Sequence, residues 1–448
     1  MKQYVEYTHA PAPWLDAIPQ HWECKKIGSL FSERKTKVSD KDYPPLSVAK
    51  IGVVPQLATA VKTDAGDNRK LVCAGDFVIN SRSDRKGSCG VSELDGSVSL
   101  INIVLTPRDS WNSKYVHYLM RCQVFSEEYY RNGRGIVADL WTTRFSEMKS
   151  ILLPVPPRDE QDQIVRFLDW KVSEINKLIT IRKKEIDSLE ELKRSRIGYL
   201  IMGQSQESSL RETSVSWVKS IPRHWEEKAL IQYAEEQQIK NKGMVEDNLL
   251  SLSYGKIINK DINTTDGLLP ASFEGYQIVY DGNIILRLTD LQNDHKSLRT
   301  GLVTQTGIIT SAYTCLKTRE GIIPEYLQLQ LHVADLCKVF YGMGGGVRQS
   351  IGFKDIRGMI IAVPPIDEQR QILENVHGVE EPINRAIQKN REIISELEAL
   401  KKRLVSDVVT GRVDVRGIDI PEHEVVEDVV DEDEEFNNDA TVMEEQED

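Results

Sequence analysis

The chain is written twice, and this constrains its fold more than any other feature. Residues 14–23 read WLDAIPQHWE, and residues 217–226 read WVKSIPRHWE. Trp14, Ile18, Pro19, His21, Trp22 and Glu23 recur as Trp217, Ile221, Pro222, His224, Trp225 and Glu226, at an offset of 203. A second block follows in the same order. It reads VPPRDEQDQI at 155–164 and VPPIDEQRQI at 363–372, and its offset of 208 holds from Phe145/Phe353 to Gly203/Gly411. Ordered self-similarity of this kind means that one structural unit is used twice. Matching ends around a diverged middle are what two modules with different specificities would show.

Each half has three parts. The tryptophan-rich motif opens it. A mixed region follows, with short apolar runs broken by Gly, Asp and Asn: Leu71–Val72 and Phe77–Ile79, Val98–Leu105, Ile278–Leu288, Leu302–Leu316. These runs predict strands with turns. Then come Pro156–Pro157 or Pro364–Pro365, which can precede a helix but not sit inside one. Asp159–Glu160 and Asp367–Glu368 place carboxylates where a helix dipole favours them.

The first of these helices is predicted from about Glu160 to Leu200. Ile175, Ile179, Arg182, Ile186 and Leu189 follow a 4-3-4-3 rhythm, and Ile383, Ile387, Asn390, Ile394 and Leu397 repeat it 208 residues later. That is a heptad seam. Arg182 and Asn390 interrupt it at the same place, and a polar seam residue costs stability but fixes register. Helices packed only on their own domains would also carry an apolar stripe; the shared rhythm favours pairing of one helix with the other. About 40 residues span roughly 60 Å. Gly203 and the run Gln204–Ser209 then end the first helix. Antiparallel pairing would relate the halves by a pseudo-twofold axis, with the mixed domains at opposite ends of a spacer. Duplex DNA shares that dyad.

The expected architecture is therefore α+β: two mixed α/β domains separated by two long antiparallel helices forming a coiled coil. The expected boundaries are 1–155 for the first mixed domain, 156–203 for the central helix, 204–363 for the second mixed domain, 364–417 for the C-terminal helix and 418–448 for an acidic tail.

The net charge of −12 looks wrong for a nucleic-acid binder until its distribution is considered. Pro421 to Asp448 hold 14 acidic residues and no Lys or Arg, so residues 1–420 carry +2. The body is near neutral and can present local basic patches. The tail has the composition of a disordered segment. It reads as a solubilising appendage or as a DNA mimic that discourages non-specific binding. Cys24, Cys73, Cys89, Cys122, Cys315 and Cys337 are scattered and form no C-x-x-C pair, which fits free thiols in a reducing compartment. No apolar run approaches the roughly 20 residues that cross a bilayer, and MKQYVEYTHAPAPW lacks the apolar core of a signal peptide. The expectation is a cytoplasmic protein with no membrane contact.

The ordered set of motifs, covering nearly all of residues 14–417, resembles the specificity subunit of type I restriction–modification systems. The resemblance implies that each mixed domain is a target-recognition domain reading one half of a bipartite DNA sequence. It implies that the helices set the gap between the halves and dock two methyltransferase (modification) subunits. Those partners methylate adenine with S-adenosylmethionine. With motor–nuclease (restriction) subunits, ATP and Mg, the complex cleaves unmodified DNA. It implies no catalysis and no cofactor in this chain. The acidic tail is outside the family pattern.

The residues agree that chemistry is absent. An amino-methyltransferase would carry Asp/Asn-Pro-Pro-aromatic beside a flipped base. The Pro-Pro pairs here lie in Tyr43-Pro44-Pro45-Leu46, Val155-Pro156-Pro157-Arg158 and Val363-Pro364-Pro365-Ile366, and none fits. There is no G-x-x-x-x-G-K-[ST] phosphate loop, and the eight histidines form no H-E-x-x-H or Cys/His metal cluster. His21 and His224 lack a partner constellation for acid–base work, so a packing or capping role is expected. Gly342–Gly346 lacks the strand–turn–helix context of a nucleotide loop and reads as a loop near DNA backbone.

Recognition needs Lys and Arg for phosphates, and Arg, Asn and Gln for base edges. Asn80, Arg82, Arg85 and Lys86 follow the strand Phe77–Ile79, and Arg134 and Arg144 belong to a second basic cluster. In the second domain the candidates are Arg287, Asn293, Lys296 and Arg299, then Arg348 and Gln349. The competing reading is a coiled-coil scaffold that binds no DNA. It leaves unexplained why a repeated frame should carry unlike loops.

Overall fold

A computed structural model of the chain describes residues 2–57, 66–82, 85–108, 111–135, 141–204, 209–262, 272–289, 291, 298–343 and 351–426. Two compact units emerge, and neither is a single stretch of sequence. Unit 1 holds residues 1–185 with 390–448, and unit 2 holds 186–389. All described strand pairs are antiparallel, apart from two isolated bridges.

In unit 1 a four-stranded sheet runs in the order Cys89–Val91, Phe77–Asn80, Asn102–Pro107, Phe31–Glu33. Unit 2 repeats it as Thr300–Leu302, Ile284–Leu286, Thr314–Thr318, Ala234–Glu236. Phe77–Asn80 and Ile284–Leu286 are buried at every position, which is why they read as unbroken apolar runs rather than alternating ones. Each opening motif pairs with the strand before the Pro-Pro stop in one shared register: Glu23 faces Val155, and Glu226 faces Val363.

The two long helices are Arg158–Ile201 and Ile366–Val409, of 44 residues each. Within unit 1 they run antiparallel: Lys401 Nζ meets Asn176 Oδ1 at 3.2 Å, and Arg182 Nη1 lies 3.5 Å from Asn390 Oδ1. Within unit 2 the sense is the same. Lys193 Nζ meets Asn384 Oδ1 at 3.1 Å, and Ile197 and Ile201 share a core with Ile372, Leu373 and Val376. Ile175, Ile179, Ile387 and Asn390 are buried, and Arg182, Ile186, Leu189, Ile383, Ile394 and Leu397 are half-buried. The second helix carries a proline in its interior, Pro382, which the heptad reading passed over. Such a proline forfeits one backbone bond and crowds the carbonyl four residues back. That residue is Gly378, and both lie exposed.

Each unit is completed by the end of a helix that begins outside it. In unit 2 the Tyr326 hydroxyl donates to the Ile201 carbonyl at 3.2 Å; in unit 1 the Tyr115 hydroxyl donates to Val409 at 3.2 Å. Gly203 and Gly411 follow these helix ends at φ +66 and +77, the left-handed cap that glycine adopts without penalty. A Cβ at Gly203 would fall 2.6 Å from the Trp225 ring, and one at Gly411 would fall 2.4 Å from Pro19. The opening tryptophan motif is therefore the seat on which a helix end closes, in both units.

The sequence reading began the acidic tail at residue 418, and the structure corrects its first nine residues. Ile418 and Ile420 pack against the unit 1 core, and Val426 is hydrogen-bonded to the first long helix through Ser173 and Asn176. The alternating Ile418-Asp419-Ile420 presents two apolar side chains to the core, which the acidic composition beyond them hid. Residues 427–448 lie outside the described residues. Among the described residues no helix is long and apolar enough to cross a membrane, and no group of His, Cys, Asp and Glu could hold a metal ion.

Candidate nucleic-acid interface

The two repeated motifs meet in space through one carboxylate. Glu160, at the start of the first long helix, accepts from Trp22 Nε1 at 3.1 Å, pairs with His21 Nε2 at 2.8 Å and accepts the Tyr4 hydroxyl. Glu368 accepts from Trp225 Nε1 and pairs with His224 Nε2, both at 2.7 Å. Both histidines thus bind the helix start to the opening motif. The next residue locks the mixed region to the same point. Gln161 Oε1 accepts from the Asn112 amide at 3.1 Å, and Gln369 Oε1 accepts from the Ile323 amide at 2.8 Å. Asn112 and Ile323 are the residues that open the helices Ser113–Arg121 and Pro324–Leu336. The sequence showed the H-W-E and D-E-Q blocks but not their pairing across 138 residues.

This frame joins two segments in each unit, and in unit 1 both are basic. In unit 1 the Thr143 amide donates to the Ser81 carbonyl at 2.9 Å; in unit 2 the Ile351 amide donates to Leu288 at 3.0 Å. The loop after the central strand is thereby stitched to the segment just before the short helix Phe145–Met148 or Phe353–Ile356. In unit 1, Thr142 forms bridges with both Arg82 and Arg134. Arg82, Lys86, Arg134 and Arg144 are all exposed there. Thr143 is fully buried and anchors the turn by donating to the Tyr129 carbonyl at 3.1 Å and accepting from its hydroxyl at 2.9 Å. Lys86 Nζ stands 5.7 Å from the Tyr130 ring, within cation–π range. The field is felt nearby at Glu147. Burial raises its carboxyl, but hydrogen bonds from Ser146 and the local amides, and the charge of Arg134, bring it below the usual carboxylate range.

Not every candidate faces outward. Asn80 is buried, and its side chain accepts from the Arg82 amide at 3.1 Å, shaping the loop rather than leaving it. Arg85 is half-buried and already engaged. Arg299 has no exposed surface, so the expectation that it contacts DNA is corrected. Its guanidinium donates to the carbonyls of Arg287 and Thr289 at 3.1 and 2.8 Å and to the Tyr341 hydroxyl at 3.1 Å. A buried arginine is tolerated only when its donors find acceptors, and here it ties the Arg287 loop to the Tyr341 segment. Arg287 is half-buried at the root of that loop. Asn293, Lys296, Arg348, Gln349 and most of Gly342–Gly346 lie outside the described residues. The sequence reading missed Tyr115 and Tyr326. A gapped alignment of the two mixed regions was the signal that could have found them.

No protein-family model matches the chain. It is 21% identical, over 90% of its own length and 96% of the relative's, to a putative type I restriction enzyme MjaX specificity subunit of Methanocaldococcus jannaschii. Among solved structures it matches a chain from a study of complex assembly and conformational transition of the type I R-M system. That match has a TM-score of 0.61 at 12% identity, covering 88% of this chain and 99% of the other. The HsdS subunit from Thermoanaerobacter tengcongensis overlaps more loosely, at TM-score 0.42 and 14% identity over 88% and 98% of the two chains. The doubled frame read from the residues and the likeness over nearly the whole length converge: the chain is similar to a protein described as a type I restriction enzyme specificity subunit.

Proposed function

We propose that the chain is the DNA sequence-specificity subunit of a type I restriction–modification complex. One observation carries the reading. Both units stitch two basic or polar segments together with the same backbone hydrogen bond, on one shared frame, while the segments themselves differ. A frame held constant under changed loops is what reading two different half-sites requires. The target-recognition domains are residues 1–155 and 204–363. The spacer helices, 156–203 and 364–417, set the gap and dock two methyltransferase subunits, with residues 418–448 as a C-terminal extension. The chain itself does no chemistry. Its partners supply S-adenosylmethionine, ATP and Mg chemistry in the cytoplasm, and motor–nuclease subunits join for cleavage.

Arg82, Lys86, Arg134 and Arg144 serve the first half-site, and Arg287 with Asn293, Lys296, Arg348 and Gln349 serve the second. Asn80 and Arg299 hold the loops from behind. The test selects bound duplexes from a random library with the chain and its co-encoded methyltransferase. A two-part motif with a fixed gap is expected. Arg82→Ala should relax one part and Arg287→Ala the other, each weakening binding by about 1–3 kcal/mol where a base edge is gripped bidentately. A complex without sequence preference would instead favour the scaffold reading.

A further inference from the structure

The face of the first long helix in unit 1 and the corresponding face of the second long helix in unit 2 are related by the offset of 208, yet one is covered and the other is open. In unit 1, Phe167, Ser173 and Asn176 are buried and Gln163, Trp170 and Lys177 are half-buried; their counterparts Asn375, Glu381, Asn384, Gln371, Gly378 and Arg385 are all exposed. The cover is the chain's own segment 412–426. Gln163 Nε2 donates to the carbonyls of Val415 and Ile418 at 3.0 and 2.9 Å. Further along, Ser173 Oγ accepts from the Val426 amide at 3.0 Å, and Asn176 Nδ2 donates to the Val426 carbonyl at 2.8 Å. Lys177 and Glu424 pair at 3.9 Å. At its root the segment is tied to the N-terminus, with the Asp414 amide donating to Lys2 and the Arg416 guanidinium 4.8 Å from the Tyr4 ring.

The seat is built for this strap. Phe167 and Trp170 pack edge to face in the cluster that Ile418 and Ile420 join. The counterpart positions, Asn375 and Gly378, offer no apolar surface, and Glu381 stands where Ser173 caps the strap. In unit 2, Gln371 turns instead to Glu374. The repeat would present two equivalent helix faces; the strap leaves one.

We propose that residues 412–426 are a built-in occupant of the unit 1 helix face. A methyltransferase subunit docking along the helices then finds the polar unit 2 face open and the unit 1 face already taken. This rests on the docking role proposed above. A second partner copy must first lift the strap, and affinity falls by the fraction of chains in the competent state.

The test titrates the co-encoded methyltransferase subunit into the full-length chain, with native mass spectrometry counting bound copies. Two steps are expected whose dissociation constants differ by about tenfold or more, beyond the roughly fourfold that two identical sites give by counting alone. Ending the chain after Gly417 should bring the steps together, and ending it after Val426, which keeps the strap, should not. Because the shorter chain loses Ile418 and Ile420 from the core, Ser173→Glu in the full-length chain gives a second release of the strap and should act the same way. Equal steps in the full-length chain, or unequal steps that survive both releases, overturn the proposal. No binding by any of the chains removes the docking role itself, and this proposal with it.

Discussion

In unit 1 the helix-start carboxylate Glu160 is 6% exposed and gathers Tyr4, His21 and Trp22. In unit 2 its counterpart Glu368 keeps the histidine and the tryptophan, and its side chain is 16% exposed. The same contrast recurs along the helices, where a strap seals one face in unit 1 and the matching face of unit 2 is bare. Duplication preserved the joint between opening motif and helix in both units. The added sealing around that joint in unit 1 comes from Tyr4 and from 412–426, whereas the N-terminal strand Tyr7–His9 itself recurs in unit 2 as Leu210–Glu212 in the same register. Two halves built on one frame therefore need not be equally stable, nor equally available to a partner.

The largest test of that contrast removes the carboxylates. Glu160→Ala leaves the Tyr4 hydroxyl and Trp22 Nε1 without their acceptor in a buried site, a loss of about 3–5 kcal/mol. Glu368→Ala should cost about 1–3 kcal/mol, because the carboxylate itself is more open to water than that of Glu160. Hydrogen exchange resolved by peptide reads each unit separately. Equal loosening in the two variants would mean that the tyrosine and the tighter burial add nothing.

How far the sequence foretold this arrangement depends on the kind of signal. The strands, the proline stops and the heptad seam were legible because they rest on local periodicity, and the doubling was legible because it is written in the letters. What was hidden depends on contacts between distant residues. Arg299 looked like a surface cation because nothing local shows that the carbonyls of Arg287 and Thr289 will surround it. Asn80 looked like a base reader although its side chain serves the Arg82 amide two residues on. The strap was divided, with 412–417 read as the end of the C-terminal helix and 418–426 as tail, because the composition turns acidic only a few residues later; the helix ends at Val409. Of the first-half candidates, Arg82, Lys86, Arg134 and Arg144 lie exposed, and the sequence named them as two clusters without showing that Thr142 joins Arg82 to Arg134.

A titration sharpens the contrast from the side of unit 2. His332 lies 3.4 Å from Thr300 Oγ1, and burial, with Lys193 and Arg194 nearby, lowers it from its ordinary value to about 4. The unfolded chain takes up that proton near pH 6.5, whereas the folded unit refuses it until about 4. This contribution is fully present above pH 6.5 and is lost as pH falls toward 4, amounting to roughly 3 kcal/mol. Unit 2 should therefore loosen in that window, and His332→Gln should flatten the dependence without altering unit 1. A profile unchanged by the substitution would show that His332 is as exposed to water when folded as when unfolded.

The smallest effect separates two tryptophans that occupy the same place in the repeat. Trp14 donates to the Leu152 carbonyl at 2.9 Å, while Trp217 Nε1 is buried with no acceptor among the described residues. Tryptophan to phenylalanine removes a similar volume at each site, so the packing losses largely cancel in the difference. What remains is one hydrogen bond lost in unit 1 and one unmet buried donor relieved in unit 2. A typical bond contributes about 1 kcal/mol net, and a buried unpaired group costs at least as much. Trp14→Phe should therefore destabilise unit 1 by about 2 kcal/mol more than Trp217→Phe destabilises unit 2, read from the exchange of the strands Glu23–Lys26 and Glu226–Ala229. Matching losses would mean that the unit 2 indole finds a partner in solution, and that here the copies are more alike than their hydrogen bonds suggest.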